Sequence, residues 1–175
     1  YHLFYQYNPD GDRHANMHWG HATSTNLVNW QHHEIGIYAD PDGLGYIFSG
    51  GAVVDIGNTS GLGNVKQPPL VATFTHHSED EVQVQSLTYS QDGGFTWQEY
   101  ANNPVLPNLG IKDFRDPKVI WDEINKQWVM ALAAGQEIQF FVSNNLINWQ
   151  LVSAFGEGVG AHGGVWECPD LFPLT

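Results

Sequence analysis

Ser143-Asn144-Asn145-Leu146-Ile147-Asn148-Trp149 repeats Ser24-Thr25-Asn26-Leu27-Val28-Asn29-Trp30 almost residue for residue. Ser90-Gln91-Asp92-Gly93-Gly94-Phe95-Thr96-Trp97 is a looser copy between them. In each, a small polar turn delivers the chain to a Trp at the start of the next strand. Ser, Asn and Asp favour such turns because their side chains hydrogen-bond nearby backbone. The Trp residues stand at 30, 97 and 149, so 67 and 52 positions separate them. Recurrence on the order of 50 residues, with several short strands per unit, is the pattern of propeller blades. A β-sandwich also supplies many short strands, but not this repeat. The count predicts about three blades, whereas closed propellers have about 4–8. The remainder of the ring is therefore expected outside residues 1–175, with the whole stretch part of one domain.

Working outward from the turns, residues 1–7 alternate Tyr, Leu, Tyr, Tyr on one face with His, Phe, Gln on the other, the period of a strand. Further strands are predicted over 17–24, 47–55, 70–75, 82–90, 118–121, 127–133, 137–143 and 149–153, and another ending at Pro169. No window keeps the i, i+3, i+4, i+7 apolar spacing of a substantial helix. The fold class is all-β. His76 and His77 fall between two predicted strands and are expected as solvated turn residues. Asp40-Pro41-Asp42-Gly43 has the beginning of a calcium loop, but the twelfth position is Gly51 rather than the required Glu. No metal site is expected.

Composition narrows the partners. Aromatic residues make up 13% of the chain, seven of them Trp, and charged residues only 14%, against about a quarter in ordinary domains. That balance suits an aromatic-lined, sugar-facing β protein. The net charge of −13 disfavours nucleic acids and anionic membranes, both polyanions. Residues 1–175 hold no apolar run long enough for a transmembrane helix and no signal-peptide pattern, which says nothing of what lies upstream. The single Cys168 excludes an internal disulfide and a Cys-based zinc site. Asn58-Thr59-Ser60 is an N-glycosylation sequon, a pattern that often occurs by chance.

Two acidic motifs carry the chemistry. In Gly163-Gly164-Val165-Trp166-Glu167-Cys168-Pro169, one carboxyl lies between a Trp and a small thiol. An apolar setting disfavours the charged form, which prepares a general acid. In Lys112-Asp113-Phe114-Arg115-Asp116-Pro117, an adjacent Arg is expected to keep Asp116 ionised. Two carboxyl groups in contrasting environments suggest glycoside hydrolysis. A buried structural Glu and an ordinary Arg–Asp pair would give the same pattern.

With its flanking motifs the chain resembles glycoside hydrolase family 32, the invertase, inulinase and levanase family of β-fructofuranosidases. The match runs through Leu3-Phe4-Tyr5-Gln6-Tyr7-Asn8-Pro9, Trp19-Gly20-His21-Ala22, Phe48-Ser49-Gly50, Asn58-Thr59-Ser60-Gly61, Phe114-Arg115-Asp116-Pro117 and Glu167-Cys168-Pro169, in family order. The segment from Ala161 to Phe172 most resembles the levanase and exo-inulinase branch.

The resemblance implies a five-bladed β-propeller, usually followed by a β-sandwich, which residues 1–175 are not expected to include. It implies a retaining hydrolase, without cofactor, releasing terminal fructosyl units from levan, inulin or sucrose outside the cytoplasm. Glu167 would be the general acid/base and Asp116 a transition-state stabiliser that, with Arg115, holds fructose hydroxyls. Gln6, Trp19, Phe48 and Ser49 would line the fructosyl pocket, and Cys168 would tune Glu167. A fructosyltransferase shares this scaffold, and a non-catalytic sugar-binding propeller is the reading outside enzymes. The family's nucleophile is an Asp in a Trp-Met-Asn-Asp-Pro-Asn-Gly motif just before the strand matching residues 1–7, and residues 1–175 do not contain it. This stretch alone is therefore expected to be inactive, and, with sheet edges exposed, to fold poorly. Many relatives carry Ser where this chain has Gly51.

Overall fold

The structure, a computed structural model, describes residues 1–174. These residues contain eleven strands and no α-helix. They are β1 His2–Tyr7, β2 His18–Thr23, β3 Gln31–His32, β4 Tyr46–Val54, β5 Leu70–His77, β6 Gln83–Ser90, β7 Gln98–Glu99, β8 Phe114–Asp122, β9 Gln127–Ala134, β10 Glu137–Ser143 and β11 Gln150–Phe155. They form three antiparallel meanders, β1-β2-β3, β4-β5-β6-β7 and β8-β9-β10-β11. Sequential hairpins account for every pairing within the sheets.

The three repeated turns join the last two strands of each sheet. The Ser24 hydroxyl accepts from Leu27 N at 2.8 Å, and Asn26 Oδ1 accepts from Asn29 N at 2.9 Å. In the third sheet Asn145 Oδ1 accepts from Asn148 N at 2.9 Å. In the second, Asp92 Oδ1 accepts from Phe95 N and Thr96 N at 3.1 and 3.0 Å. The residue three before each Trp takes a positive φ: Leu27 at 64°, Gly94 at 95° and Leu146 at 63°. Its carbonyl accepts the indole N–H in all three turns, at 3.2, 3.2 and 3.0 Å. The Trp thus clamps its own turn. Aligning the sheets on these turns makes β3, β7 and β11 equivalent. By that alignment β1 corresponds to β5 and β9, and the first sheet has no counterpart of β4 and β8.

The sheets pack face against face. Val71, Leu87, Phe114, Met130, Leu132, Phe141 and Leu146 form a core between the second and third. Trp19, Ile37, Ile47, Ala72 and Phe74 form a smaller one between the first and second. Successive residues of a strand point to opposite faces, so Val71 serves one core and Ala72 the other. The middle sheet is covered on both faces, and β5 is buried from Val71 to His76. The third sheet is open on its far side, where Leu151, Val152 and Phe155 of β11 are exposed.

Two expectations change. His76 is no turn residue: it lies within β5, 1% exposed, with Nδ1 2.8 Å from the Ser86 hydroxyl. Its neighbour His77 ends the strand. No strand ends at Pro169; residues 156–174 run without regular structure back across β8. In the sequon, Asn58 is only half-buried but its Oδ1 accepts from Gly63 N at 2.9 Å. The Ser60 hydroxyl is engaged by buried Asp55 at 2.7 Å. That motif closes a loop.

Candidate active site

Both motif-bearing edge strands, β4 and β8, are broken by a bulge. The register of β4 against β5 shifts between Ile47 and Gly50, and that of β8 against β9 between Arg115 and Lys118. A bulge re-aims side chains and releases backbone groups from the ladder. Asp116 sits in the second one at φ 64°, a conformation that costs a non-glycine residue about 1–2 kcal/mol.

The segment from Glu167 to Asp170 lies along this bulge in a ladder of constant offset. Arg115 Nη2 donates to Glu167 Oε1 at 3.0 Å. Cys168 N donates to Asp116 Oδ2 at 3.0 Å, and Lys118 Nζ meets Asp170 Oδ1 at 2.9 Å. Residues 115, 116 and 118 thus meet 167, 168 and 170. Trp166 N anchors the approach on Gly135 O at 2.7 Å. Like Asp116, Cys168 has a positive φ, 48°. Strained residues clustered at one spot mark a place where geometry is over-determined.

The charges are arranged differently from the expectation. Arg115 does not pair with Asp116; its guanidinium bonds Asp113 at 2.6 Å and Glu167 at 3.0 Å. Burial works against the Arg115 charge, but the hydrogen bonds it donates to these two carboxylates outweigh it and raise its pKa above the ordinary value. Asp116, 7% exposed, is instead held by the Cys168 backbone N–H and by its thiol at 3.6 Å. Burial, then the Asp116 charge, pushes the Cys168 thiol above its ordinary pKa, so it stays protonated and donates. Cys168 therefore contacts Asp116 directly rather than Glu167. Glu167 is not enclosed by residues 1–174: its side chain is 59% exposed. Trp166 beside it packs on His162 and Phe155, with ring centroids 5.6 and 6.2 Å away.

The expected pocket residues separate into two cavities. Gln6, Trp19 and Ser49 line one of about 440 Å³ between β1 and β4, with Leu3, Phe4 and Ala52. Trp19 is 5% exposed and donates its indole N–H to Phe48 O at 3.0 Å, so it supports the cavity instead of offering a free ring face. Phe48 points the other way, into a cavity of about 370 Å³, stacked on His77 at 4.5 Å with His14 at its edge. Adjacent strand residues face opposite sides, and Phe48–Ser49 obeys that rule.

The sequence matches the model of the glycosyl hydrolases family 32 N-terminal domain over residues 1–175. It belongs to that family. A levanase of Bacillus subtilis is 58% identical over 174 residues, covering 99% of this chain and 25% of the relative. An extracellular exo-inulinase of Aspergillus niger is 41% identical, covering 99% and 37%. Among solved structures, a fructofuranosidase from Schwanniomyces occidentalis complexed with fructose superposes with a TM-score of 0.89 at 43% identity, covering 98% of this chain and 34% of that one. The family 32 chain described here thus spans about a quarter to 37% of the length of such relatives.

Within this family 32 segment, sequence reasoning missed Asp113, the second partner of Arg115, and Thr75, Gln83 and Gln85, which reach the bulge from the neighbouring sheet. Asp113 lies inside the Lys112-to-Pro117 motif. The other three carry no local signal beyond polar side chains on strands otherwise rich in apolar ones.

Proposed function

We propose that the protein bearing this segment is a retaining β-fructofuranosidase that releases terminal fructosyl units from fructans and sucrose. The observation that carries the reading is the ladder of Arg115, Asp116 and Lys118 against Glu167, Cys168 and Asp170, which brings both acidic motifs to one bulge. The names of the relatives, levanase and exo-inulinase, support the substrate class.

Glu167 protonates the leaving glycosidic oxygen as its bond to the anomeric carbon breaks. The charge that develops on the fructosyl ring is offset by Asp116, kept fixed by the Cys168 N–H. Arg115 presents a planar fork of donors to sugar hydroxyls, exchanging Glu167 Oε1 for substrate as the acid takes up its role. The fructosyl group is captured by the family's Asp nucleophile, and water, deprotonated by Glu167, then releases it. That nucleophile belongs to the segment ahead of the strand matching residues 1–7. The missing counterpart of β4 and β8 in the first sheet, and the cavity between β1 and β4, give such a strand a place to run. Residues 1–175 alone are expected to be inactive, down on the order of 10⁴-fold or more as with other nucleophile deletions.

In this reading the segment supplies roughly the first three blades of a five-bladed propeller. The open face of β11 receives the next blade. The extracellular exo-inulinase relatives favour secretion.

The test uses the chain at the length of its relatives. Glu167→Ala is expected to abolish sucrose turnover while sparing much of it on an activated fructoside whose leaving group needs no proton. Equal loss on both substrates removes Glu167 from the acid role. Transfer products in place of free fructose would identify a fructosyltransferase.

A further inference from the structure

The bulge in β8 deprives residues 114–117 of part of their ladder with β9, yet the segment is almost wholly buried. Phe114 is 0% and Asp116 7% exposed. Backbone groups buried there need partners, and the neighbouring sheet supplies them through uncharged side chains. Phe114 N donates to Gln83 Oε1 at 2.7 Å, and Gln85 Nε2 donates to Phe114 O at 2.8 Å. Asp116 N donates to Thr75 Oγ1 at 3.0 Å, and Thr75 Oγ1 donates to Gln85 Oε1 at 2.7 Å. Gln83 Oε1 also accepts from Arg115 Nη1 at 3.4 Å. Thr75 and Gln85 are direct cross-strand partners, and Gln83 stands two residues from Gln85 on the same face, so these three side chains reach β8 together.

We infer that Thr75 and Gln85 are positioning residues for Asp116: their relay imposes its left-handed backbone and so fixes where its carboxylate stands. The inference rests on the proposed role of Asp116. Thr75 and Gln85 are each 0% exposed, and every hydrogen-bonding atom of the pair that the relay needs is used once. Such a chain has one low-energy arrangement, because flipping the Gln85 amide would set its NH₂ against Thr75 and its oxygen against the Phe114 carbonyl. The hydroxyl of Thr75 has to donate to Gln85, which leaves its lone pair for Asp116 N. A neutral relay positions the carboxylate without adding a charge beside it, so the field at the sugar is left to Arg115, Asp116 and Glu167. Without the hydroxyl, Asp116 N is orphaned in a buried site, and the residue relaxes from φ 64°. Its carboxylate then leaves the Cys168 N–H.

The experiment compares Thr75→Val, which keeps the shape and removes the hydroxyl, with Thr75→Ser, which keeps the hydroxyl. Both are made in the chain at the length of its relatives, with sucrose as substrate and rates normalised to folded protein below each variant's melting temperature. A misplacement near 1 Å costs about 10²-fold, so Thr75→Val is expected to lower kcat by about 10- to 100-fold with KM nearly unchanged. Thr75→Ser is expected to restore kcat. A purely structural role would shift the melting temperature and leave kcat per folded molecule intact, and that result overturns the inference. So does a Thr75→Ser enzyme as impaired as Thr75→Val. Should Thr75→Val not fold, Thr75→Cys puts a weak donor in place of the hydroxyl and carries the same expectation. Asp116→Asn separates the two levels. If it is crippled while Thr75→Val is not, only the relay fails; if it turns over normally, the role of Asp116 fails and the relay with it.

Discussion

The burial of His76 makes stability depend on acid in a way that one substitution isolates. His76 is enclosed between Phe74, whose ring is edge-on at 4.9 Å, and the Ser86 hydroxyl at 2.8 Å. Burial lowers its pKa from 6.5 to about 4. Between those values the unfolded chain binds a proton that the folded protein refuses, so stability rises with pH across this window. The contribution is fully present above pH 6.5 and is lost as pH falls toward 4. One pKa unit corresponds to about 1.4 kcal/mol, so 1.5 units of the window give about 2 kcal/mol lost at pH 5. His76→Gln removes the titration and keeps a hydrogen-bonding group for Ser86. Urea unfolding at pH 7 and pH 5 is the assay. The variant is expected to be less stable than wild type at pH 7, yet to lose about 2 kcal/mol less on acidification. Equal losses in the two proteins would show that His76 is not held neutral by burial. His21, 1% exposed and lowered to about 4 by burial and by His2 and His33, adds to the same window in wild type and variant alike.

The repeated turns offer a matched pair. Leu146→Ala opens the core between the second and third sheets and is expected to cost about 2–5 kcal/mol, whereas Leu27→Ala, at the same turn position but 55% exposed, stays within about 0.5 kcal/mol; thermal melts separate them. Asp55→Ala removes the acceptor of four hydrogen bonds from Thr59 and Ser60 in a fully buried site. It is expected to cost at least about 3 kcal/mol in urea unfolding, since bonds to a charged group contribute about 1.5–3 kcal/mol each and do not simply add. A Cβ on Gly50 would stand 2.1 Å from Thr73 O and 2.7 Å from Phe74 Cα, while one on Gly51 meets nothing within 4 Å. Gly50→Ala is therefore expected to destabilise by about 1–3 kcal/mol, and Gly51→Ser to leave the melting temperature almost unchanged.

A Ser at position 51 needs no different backbone, because the space beside Gly51 is open. Strand positions were legible in the sequence. Period-two alternation on β1 and the apolar runs of β5 and β9 are local facts about which side chains can face a core. The turn motifs were legible because the side chains of Ser24, Asn26 and Trp30 bond backbone groups of their own turn, within seven residues. The environments of the two acids were not. Arg115 stands next to Asp116 in the chain and was expected to pair with it, but adjacent strand residues diverge, and the bulge sends Arg115 to Glu167 52 positions away.

What the sequence determined by itself is whatever depends on contacts within a turn or along a strand: an all-β chain, three copies of one strand–turn–strand unit ending in a Trp, and the motifs that identify the family. Tertiary structure alone decided which motif residues meet. It withdrew Trp19 into a core, buried His76, and set Thr75 and Gln85 beneath Asp116. Those outcomes follow from how separate sheets pack, and the free energy of packing is shared among residues tens of positions apart, where no short pattern records it.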